Sequence, residues 1–114
     1  MQTEVLFFFD AEDYTSDFPN DALRDLANLF AGEGFTAHVA VVGYLAHEIA
    51  RYNRRDVVEA LSRHLIGTQS LYHSRHPTIL ELSDEADYDS AYAKVFAEEK
   101  EGCEMIEAAF GRWP

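Results

Sequence analysis

The sequence has little of several residue types, and each shortage excludes a class of protein. It contains one cysteine, Cys103, which excludes an intramolecular disulfide framework and a multi-cysteine zinc site. Only 9 basic residues stand against 21 acidic ones, for a formal charge of −12. This balance argues against nucleic acid or an anionic membrane as the main partner, because clustered lysine and arginine are needed to neutralise phosphate groups. The longest apolar run, residues 5–9, is too short to cross a bilayer.

The apolar content is nevertheless that of a folded domain. Of the 114 residues, 47% are hydrophobic and 13% aromatic, which is enough for a core and unlike a disordered acidic tail. We expect one domain, residues 1–114. The first residues show no basic stretch before an apolar run, so a secretory signal is not indicated and a cytoplasmic location is expected.

Apolar runs alternate with segments that have helical periodicity. The predicted strands are residues 5–9, 35–42 and 65–67. The predicted helices are residues 20–32, 44–52, 56–64 and 84–110, and Asn20 is the predicted N-cap of the first helix. This order predicts an α/β fold in which a parallel β-sheet has flanking helices. The first run is apolar at every position, which predicts a strand that is buried on both faces. Residues 68–77 are polar and are predicted to form a loop.

The last predicted helix carries much of the negative charge. Ten acidic residues but only two lysines lie between Glu81 and Glu107, a pattern typical of a solvated helix face. The inner face of this helix is predicted to be formed by Tyr92, Val95, Phe96, Cys103 and Ile106.

The ends of the first and third strands carry the candidate functional residues. In parallel α/β sheets, ligands bind beyond the carboxyl ends of the strands. Carboxylates combined with imidazoles bind transition metals, and a single carboxylate can act as a general base. Alternatively, the acids form a local turn and the histidines are solvated. His38, His47 and His64 are expected to be packed or surface residues. The candidates are Asp10, Glu12, Asp13, Gln69, His73 and His76.

Several segments together resemble the polysaccharide deacetylases, the NodB-homology group of carbohydrate esterases. They are the apolar strand that ends in Asp10, residues 35–43, residues 56–61 and the stretch 65–77. The resemblance extends over residues 5–114. Members of this family are metal-dependent hydrolases that remove acetyl groups from N-acetylated sugars on a distorted (β/α) barrel. The resemblance therefore implies a hydrolase of carbohydrate metabolism, folded as the first half of such a barrel.

The same resemblance implies roles for the residues at the strand ends. Asp10 matches the catalytic base. The family's metal-binding aspartate falls on Ala11, which leaves Glu12, and after it Asp13, as substitutes. His73 matches a metal-binding histidine. The implied cofactor is a divalent metal (zinc, cobalt or manganese), and the implied substrate is an N-acetylated carbohydrate or a small amide.

The remaining metal position departs from the family pattern. Gln69 stands where the family has its first histidine ligand, and His76 is the candidate that compensates for it. The family's later motifs would lie beyond Pro114. The expectation is therefore a site that turns over poorly in this chain alone, and a sheet covered by a second half of the barrel or by a homo-oligomer.

Three other functions are alternatives to the deacetylase. A non-catalytic carbohydrate-binding or assembly module on the same fold would fit the loss of metal ligands at Ala11 and Gln69. A metal-free amidohydrolase relative would fit them equally well. A phosphoacceptor receiver domain is disfavoured because the third strand does not end in an aspartate and no lysine ends a later strand. The aromatic side chains that could stack on sugar rings are Tyr14, Tyr44, Tyr72 and Trp113.

Overall fold

A computed structural model describes residues 1–114 as three parallel strands and five helices. The elements are β1 (Phe8–Ala11), α1 (Phe18–Gly32), β2 (His38–Val41), α2 (Gly43–Arg51), α3 (Arg55–Leu61), β3 (Leu65–Thr68), α4 (Ile79–Ser83) and α5 (Tyr88–Phe110). The α/β fold with a parallel sheet and flanking helices is thus confirmed. Residues 69–77 contain no helix or strand, as expected for the predicted loop.

The strands lie in the sheet in chain order, β1-β2-β3. Phe8 is opposite His38, and His38 is opposite Leu65. Each crossover therefore moves the chain one strand further in the same direction. Because such crossovers are nearly always right-handed, sequential strand order keeps the connecting helices on one face of the sheet. In a doubly wound sheet the strand order reverses direction, and the helices lie on both faces of the sheet.

The hydrophobic core lies between that face of the sheet and the helices. Alternate residues of a strand point to the same side, so Ala11, Val39 and Val41 enter the core together, and Phe9 and Ile66 pack against it. The helices contribute Ala27 from α1, Leu45, Ala46 and Ile49 from α2, Val57, Ala60 and Leu61 from α3, and Ile106 from α5.

The prediction that the first strand is buried on both faces is wrong. Phe8 and Asp10 are exposed, because β1 is an edge strand and no helix lies over the second face of the sheet. The strand also begins later than predicted. The first bond to β2 is the one that the Phe7 carbonyl accepts from the His38 N–H, at 2.8 Å, and Val5 and Leu6 are exposed.

Two helix starts differ from the predictions by more than one residue. Helix α1 begins at Phe18 after the N-cap Asp17, and Asn20 is buried inside the helix, where its Nδ2 donates to Asp17 Oδ1 at 2.9 Å. Helix α5 begins at Tyr88 instead of Asp84. Its N-cap Asp87 accepts a hydrogen bond from the Ser90 N–H at 2.9 Å, which supplies the cap that sequence periodicity did not locate.

Only the C-terminal half of α5 packs as its apolar pattern predicted. Cys103 and Ile106 are buried, but Tyr92 and Phe96 are exposed, so their assignment to the inner face is wrong. The three aromatic rings at Tyr88, Tyr92 and Phe96 form a stripe on the surface of the helix, with centroids 6.3 and 5.8 Å apart. None of the helices has the length and apolar character needed to span a membrane.

His64 is a packed structural histidine, as expected. Its ring is buried. Nδ1 accepts a hydrogen bond from the Ala37 N–H at 3.1 Å, and Nε2 lies 2.8 Å from the Ala27 carbonyl oxygen. Because Nδ1 accepts, the proton is on Nε2, and this neutral ring ties α1 to the start of β2.

Candidate functional site

The carboxyl ends of the three strands form one edge, from which the candidate residues project. The sheet hydrogen bonds continue past the strands: the Val42 N–H donates to the Ala11 carbonyl at 3.0 Å, and the Gln69 N–H donates to the Val41 carbonyl at 3.0 Å. The acids after β1 and the histidine loop after β3 therefore start from the same edge, as the rule for parallel sheets requires.

Glu12 and His73 meet across this edge. Glu12 Oε2 is 2.8 Å from His73 Nε2, and both side chains are roughly half exposed. One residue follows β1 and the other follows β3, so the contact spans the width of the sheet. It joins a carboxylate and an imidazole, the two donor types that commonly ligate zinc.

The loop that carries His73 has a constrained backbone. Ser70 and His73 have positive φ values of 61° and 57°, a left-handed conformation that is uncommon for residues other than glycine. The His73 N–H donates to Ser70 Oγ at 2.9 Å, which stabilises the turn between them. Backbone strain of this kind is concentrated at functional sites.

Helix α2 anchors the start of the same loop. The Gly43 N–H donates to the Ser70 carbonyl and the Tyr44 N–H to the Leu71 carbonyl, both at 2.9 Å. These amides belong to the first turn of α2, where the helix itself offers no acceptor. The helix N-terminus is thus used to hold the loop.

Glu98 on α5 supports the loop from the other side. Its Oε1 accepts a hydrogen bond from the Leu71 N–H at 3.1 Å, whereas Oε2 is buried without a hydrogen-bond partner. Burial raises the pKa of Glu98 above the ordinary carboxyl value because the charged form loses hydration. Sequence reasoning missed this residue, since it lies among acids that are solvated and no local pattern separates it from them.

Asp10 is the last residue but one of β1, and its side chain lies on the face of the sheet without helices. The residue borders an open cavity of about 280 Å³ together with Glu12 and Asp13. Apolar side chains of α1, among them Leu23 and Leu26, form another wall. A small polar group with an apolar substituent fits such a lining.

Asp13 and His76 have other partners. Asp13 Oδ1 accepts hydrogen bonds from the Thr15 N–H at 3.0 Å and the Thr15 hydroxyl at 2.7 Å, and these bonds lower the pKa of Asp13. It forms a local turn, the alternative that the sequence left open. His76 Nδ1 is 2.7 Å from Glu81 Oε2 and is largely exposed. The two loop histidines therefore pair with different carboxylates.

Of the five predicted metal ligands, Glu12 and His73 are the two whose side chains contact each other. Gln69 lines a cavity of about 450 Å³ with Ser70 and His73. No three side chains of His, Cys, Asp or Glu lie close enough together to hold a metal ion.

Three tyrosines cluster on the segments that carry Glu12 and His73 and at the start of α2. The Tyr44 ring packs against the rings of both Tyr14 and Tyr72, with centroid distances of 5.4 and 5.3 Å. The Tyr14 hydroxyl donates to the Tyr72 carbonyl at 3.0 Å, and the Arg75 guanidinium is 4.9 Å from the centre of the Tyr72 ring. All three tyrosines are partly exposed.

Comparisons of the chain with protein-family models, with curated proteins and with solved structures find no match. What the chain does is therefore inferred from the residues at the carboxyl edge of its sheet.

Proposed function

We propose that the chain is part of a NodB-type hydrolase that removes acetyl groups from an N-acetylated carbohydrate. The proposal is supported by the 2.8 Å contact between Glu12 and His73, on the same edge as Asp10. These are the positions to which the resemblance assigns metal binding and base catalysis. The sequential strand order β1-β2-β3 also supports the first half of a barrel, since a (β/α) barrel adds its strands in chain order.

In this proposal Asp10 is the general base. Asp10 is exposed and is one of the residues that line an open cavity, and its carboxylate would take a proton from the water that attacks the acetyl carbonyl. The chain offers no positioned acid to protonate the leaving amine, so these 114 residues are expected to turn over slowly or not at all.

A divalent metal fits this site only in part. Catalytic zinc is usually held by three protein ligands, and no three of the His, Cys, Asp and Glu side chains come together here. Gln69, on the same cavity as His73, is the remaining predicted donor, and an amide oxygen is a weaker ligand for zinc than an imidazole. The side chains that come together here therefore do not complete the ligand set of a catalytic zinc.

Calorimetric titration with zinc, cobalt and manganese tests the proposal. We expect weak stoichiometric binding that is lost in His73→Ala. His76→Ala is the matched control, because His76 lies on the same loop but pairs with Glu81, and it should bind as the unmodified chain does. Absence of binding, or binding that persists in His73→Ala, would contradict the metal-dependent form of the proposal.

A second candidate, a carbohydrate-binding module without catalysis, is supported by the tyrosine cluster. Aromatic faces present flat apolar area with a polar handle at the edge, and Tyr44 contacts both of the other rings. Saturable binding of N-acetylglucosamine oligomers in the presence of a chelator, weakened in Tyr44→Leu, would favour this candidate. If the chain instead releases acetate or ammonia while a chelator is present, and Asp10→Asn abolishes that release, the metal-free amidohydrolase would be favoured.

A further inference from the structure

Three aromatic side chains lie on the surface of α5 at helical spacing. Tyr88, Tyr92 and Phe96 follow one another every fourth residue, and they are 78%, 57% and 55% exposed. Neighbouring rings are nearly parallel, with interplanar angles of 24° and 22°. Because residues four apart form a continuous ridge along a helix, the three rings make one surface. We call this surface the aromatic stripe.

The aromatic stripe continues the side of α5 that packs on the core. Cys103 and Ile106 follow Tyr92 by about three and four turns of the helix, so the three residues lie on the same side of it. Cys103 and Ile106 are buried, whereas Tyr92 is exposed. Helix α4 contacts the other side of α5, where Leu82 and Lys94 border the same cavity. The N-terminal half of α5 therefore exposes the side that its C-terminal half buries.

The segment around the aromatic stripe carries a large excess of negative charge. Ten of the 21 acidic residues of the chain lie within residues 81–107, together with both of its lysines. Lys94 pairs with Glu85, and Lys100 pairs with Glu104 at 3.0 Å. None of the other eight acids forms an ion pair with a lysine or an arginine. The segment therefore lacks the cations that would balance its carboxylates.

Two of these acids border the aromatic stripe directly. Asp89 precedes Tyr92 by three residues, and Glu99 follows Phe96 by three residues, so each is a neighbour of a ring on the helix surface. Asp89 is exposed and Glu99 is partly exposed. The surface is thus apolar along its centre and negative at its border. An apolar centre with a polar rim is the usual composition of a protein interface.

Shape and charge together indicate the chemistry of the partner. A ridge of residues four apart fits the groove between the corresponding rows of a second helix, which is the commonest way for helices to pack. Carboxylates at the border favour lysine or arginine on the partner, because the charges across an interface are complementary. A second copy of this chain, with its net charge of −12, would bring the same acidic segment against the first and would be repelled.

We propose that the aromatic stripe binds a basic amphipathic helix of another protein. The apolar face of that helix would pack on the three rings, and lysine or arginine at the edges of the face would pair with Asp89 and Glu99. Tyr92 would be the main contact, because an aromatic residue at the centre of an interface contributes most to binding. The interaction does not depend on the proposed hydrolase activity.

Fluorescence anisotropy with a labelled probe peptide tests the proposal. The probe is a helix of leucine and lysine, about 18 residues long, that has all its leucines on one face. Tyr92→Gln removes the central ring without changing the charge. Phe8→Gln is the matched control, because it removes a similarly exposed ring from β1. We expect the unmodified chain and Phe8→Gln to bind the probe, and Tyr92→Gln to bind it roughly tenfold or more weakly.

A second peptide separates recognition of the apolar face from attraction by charge alone. It has the same leucine and lysine content as the probe, in an order that gives no apolar face, and it should bind the unmodified chain more weakly. Three outcomes would overturn the proposal: a probe that does not bind, equal binding of the probe to Tyr92→Gln and to the unmodified chain, or equal binding of the two peptides.

The oligomeric state of the chain tests the other possible occupant. Self-association of the unmodified chain in sedimentation equilibrium that is lost in Tyr92→Gln would assign the aromatic stripe to a second copy and overturn the proposal. If the circular dichroism spectrum shows that Tyr92→Gln does not fold, Tyr88→Gln replaces it, since that side chain is more exposed.

Discussion

The backbone of Gly43 lies directly against the backbone of Gly102, so that a Cβ on Gly43 would be 2.5 Å from the Gly102 Cα. Helices α2 and α5 meet at this point. On its other side, Gly102 faces the backbone of Leu71, which a Cβ would approach to 3.2 Å. The two glycines therefore set the separation between α2, α5 and the loop that carries His73.

Gly43→Ala should destabilise the fold because the new methyl group cannot be accommodated without moving α2 from α5. Overpacking of this kind costs roughly 1–3 kcal/mol, measurable as a lower urea midpoint. Gly32→Ala is the control: it has open space around it and should leave the midpoint unchanged or raise it. Equal midpoints for Gly43→Ala and the unmodified chain would show that the helices separate freely.

Glu12→Gln should weaken zinc binding at the proposed site roughly tenfold or more, because the variant replaces a charged oxygen ligand with a neutral amide. Glu81→Gln disrupts the other glutamate–histidine pair, Glu81 with His76, and should leave zinc binding unchanged. Calorimetric titration of both variants with zinc shows which of the two glutamate–histidine pairs binds the metal. A loss of binding in Glu81→Gln alone would move the site from His73 to His76.

Glu98→Gln should change how stability depends on pH. Burial raises the pKa of Glu98, so the folded chain binds this proton more tightly than the unfolded chain does. Stability of the unmodified chain therefore falls as pH rises through the interval between the ordinary and the raised carboxyl pKa. The glutamine keeps an oxygen for the Leu71 N–H and does not titrate.

The free energy of unfolding of Glu98→Gln, relative to that of the unmodified chain, should accordingly be highest at neutral pH. This difference should shrink as the pH is lowered. Glu107→Gln, on an exposed position of the same helix, should show no such trend. A difference that stays constant from neutral to acidic pH would contradict the role given to the burial of Glu98.

Arg54→Met should reduce the loss of stability in acid. Arg54 donates to Asp17 at 2.9 Å, Asp21 at 2.6 Å and Asp56 at 2.9 Å, which connects α1 with the start of α3. The hydrogen bonds that Asp56 accepts from Arg54 and from Arg24 hold the pKa of Asp56 far below its usual range.

A depressed carboxyl pKa stabilises the fold above the unfolded-state value near 4 and loses this contribution as pH falls below it. Acid titrations followed by circular dichroism should therefore show a shallower acid transition for Arg54→Met than for the unmodified chain. Arg55→Met, at an exposed neighbour, should retain the full transition. If both variants retain it, the ion network does not contribute to acid sensitivity.

Several features of the fold were predictable because they depend on local pattern. Apolar runs located all three strands to within a few residues, since a strand in a parallel sheet needs apolar side chains on the face that meets the helices. The rule that parallel strands end at a common edge placed Glu12 and His73 among the same few candidates. Their direct contact of 2.8 Å did not follow from that rule.

What a local pattern does not contain is the presence or absence of a covering layer. The apolar run of β1 predicted burial on both sides, but Phe8 is exposed, and the aromatic residues Tyr92 and Phe96 predicted an inner face that α5 does not have there. An apolar side chain has the same identity whether or not another element packs on it. The partners of Asp13 and His76 were likewise undecided, because a turn and a metal site use the same residue types.

The sequence by itself determined the class of fold, the order of its elements apart from the short helix α4, and the edge at which polar residues gather, because periodicity and strand direction are properties of the chain. Only the tertiary structure decided which two of those residues meet, that Glu98 and the Gly43–Gly102 contact hold their loop, and that one face of the sheet is open. Those features depend on distances between segments far apart in the chain, which are set by how the helices pack on the sheet.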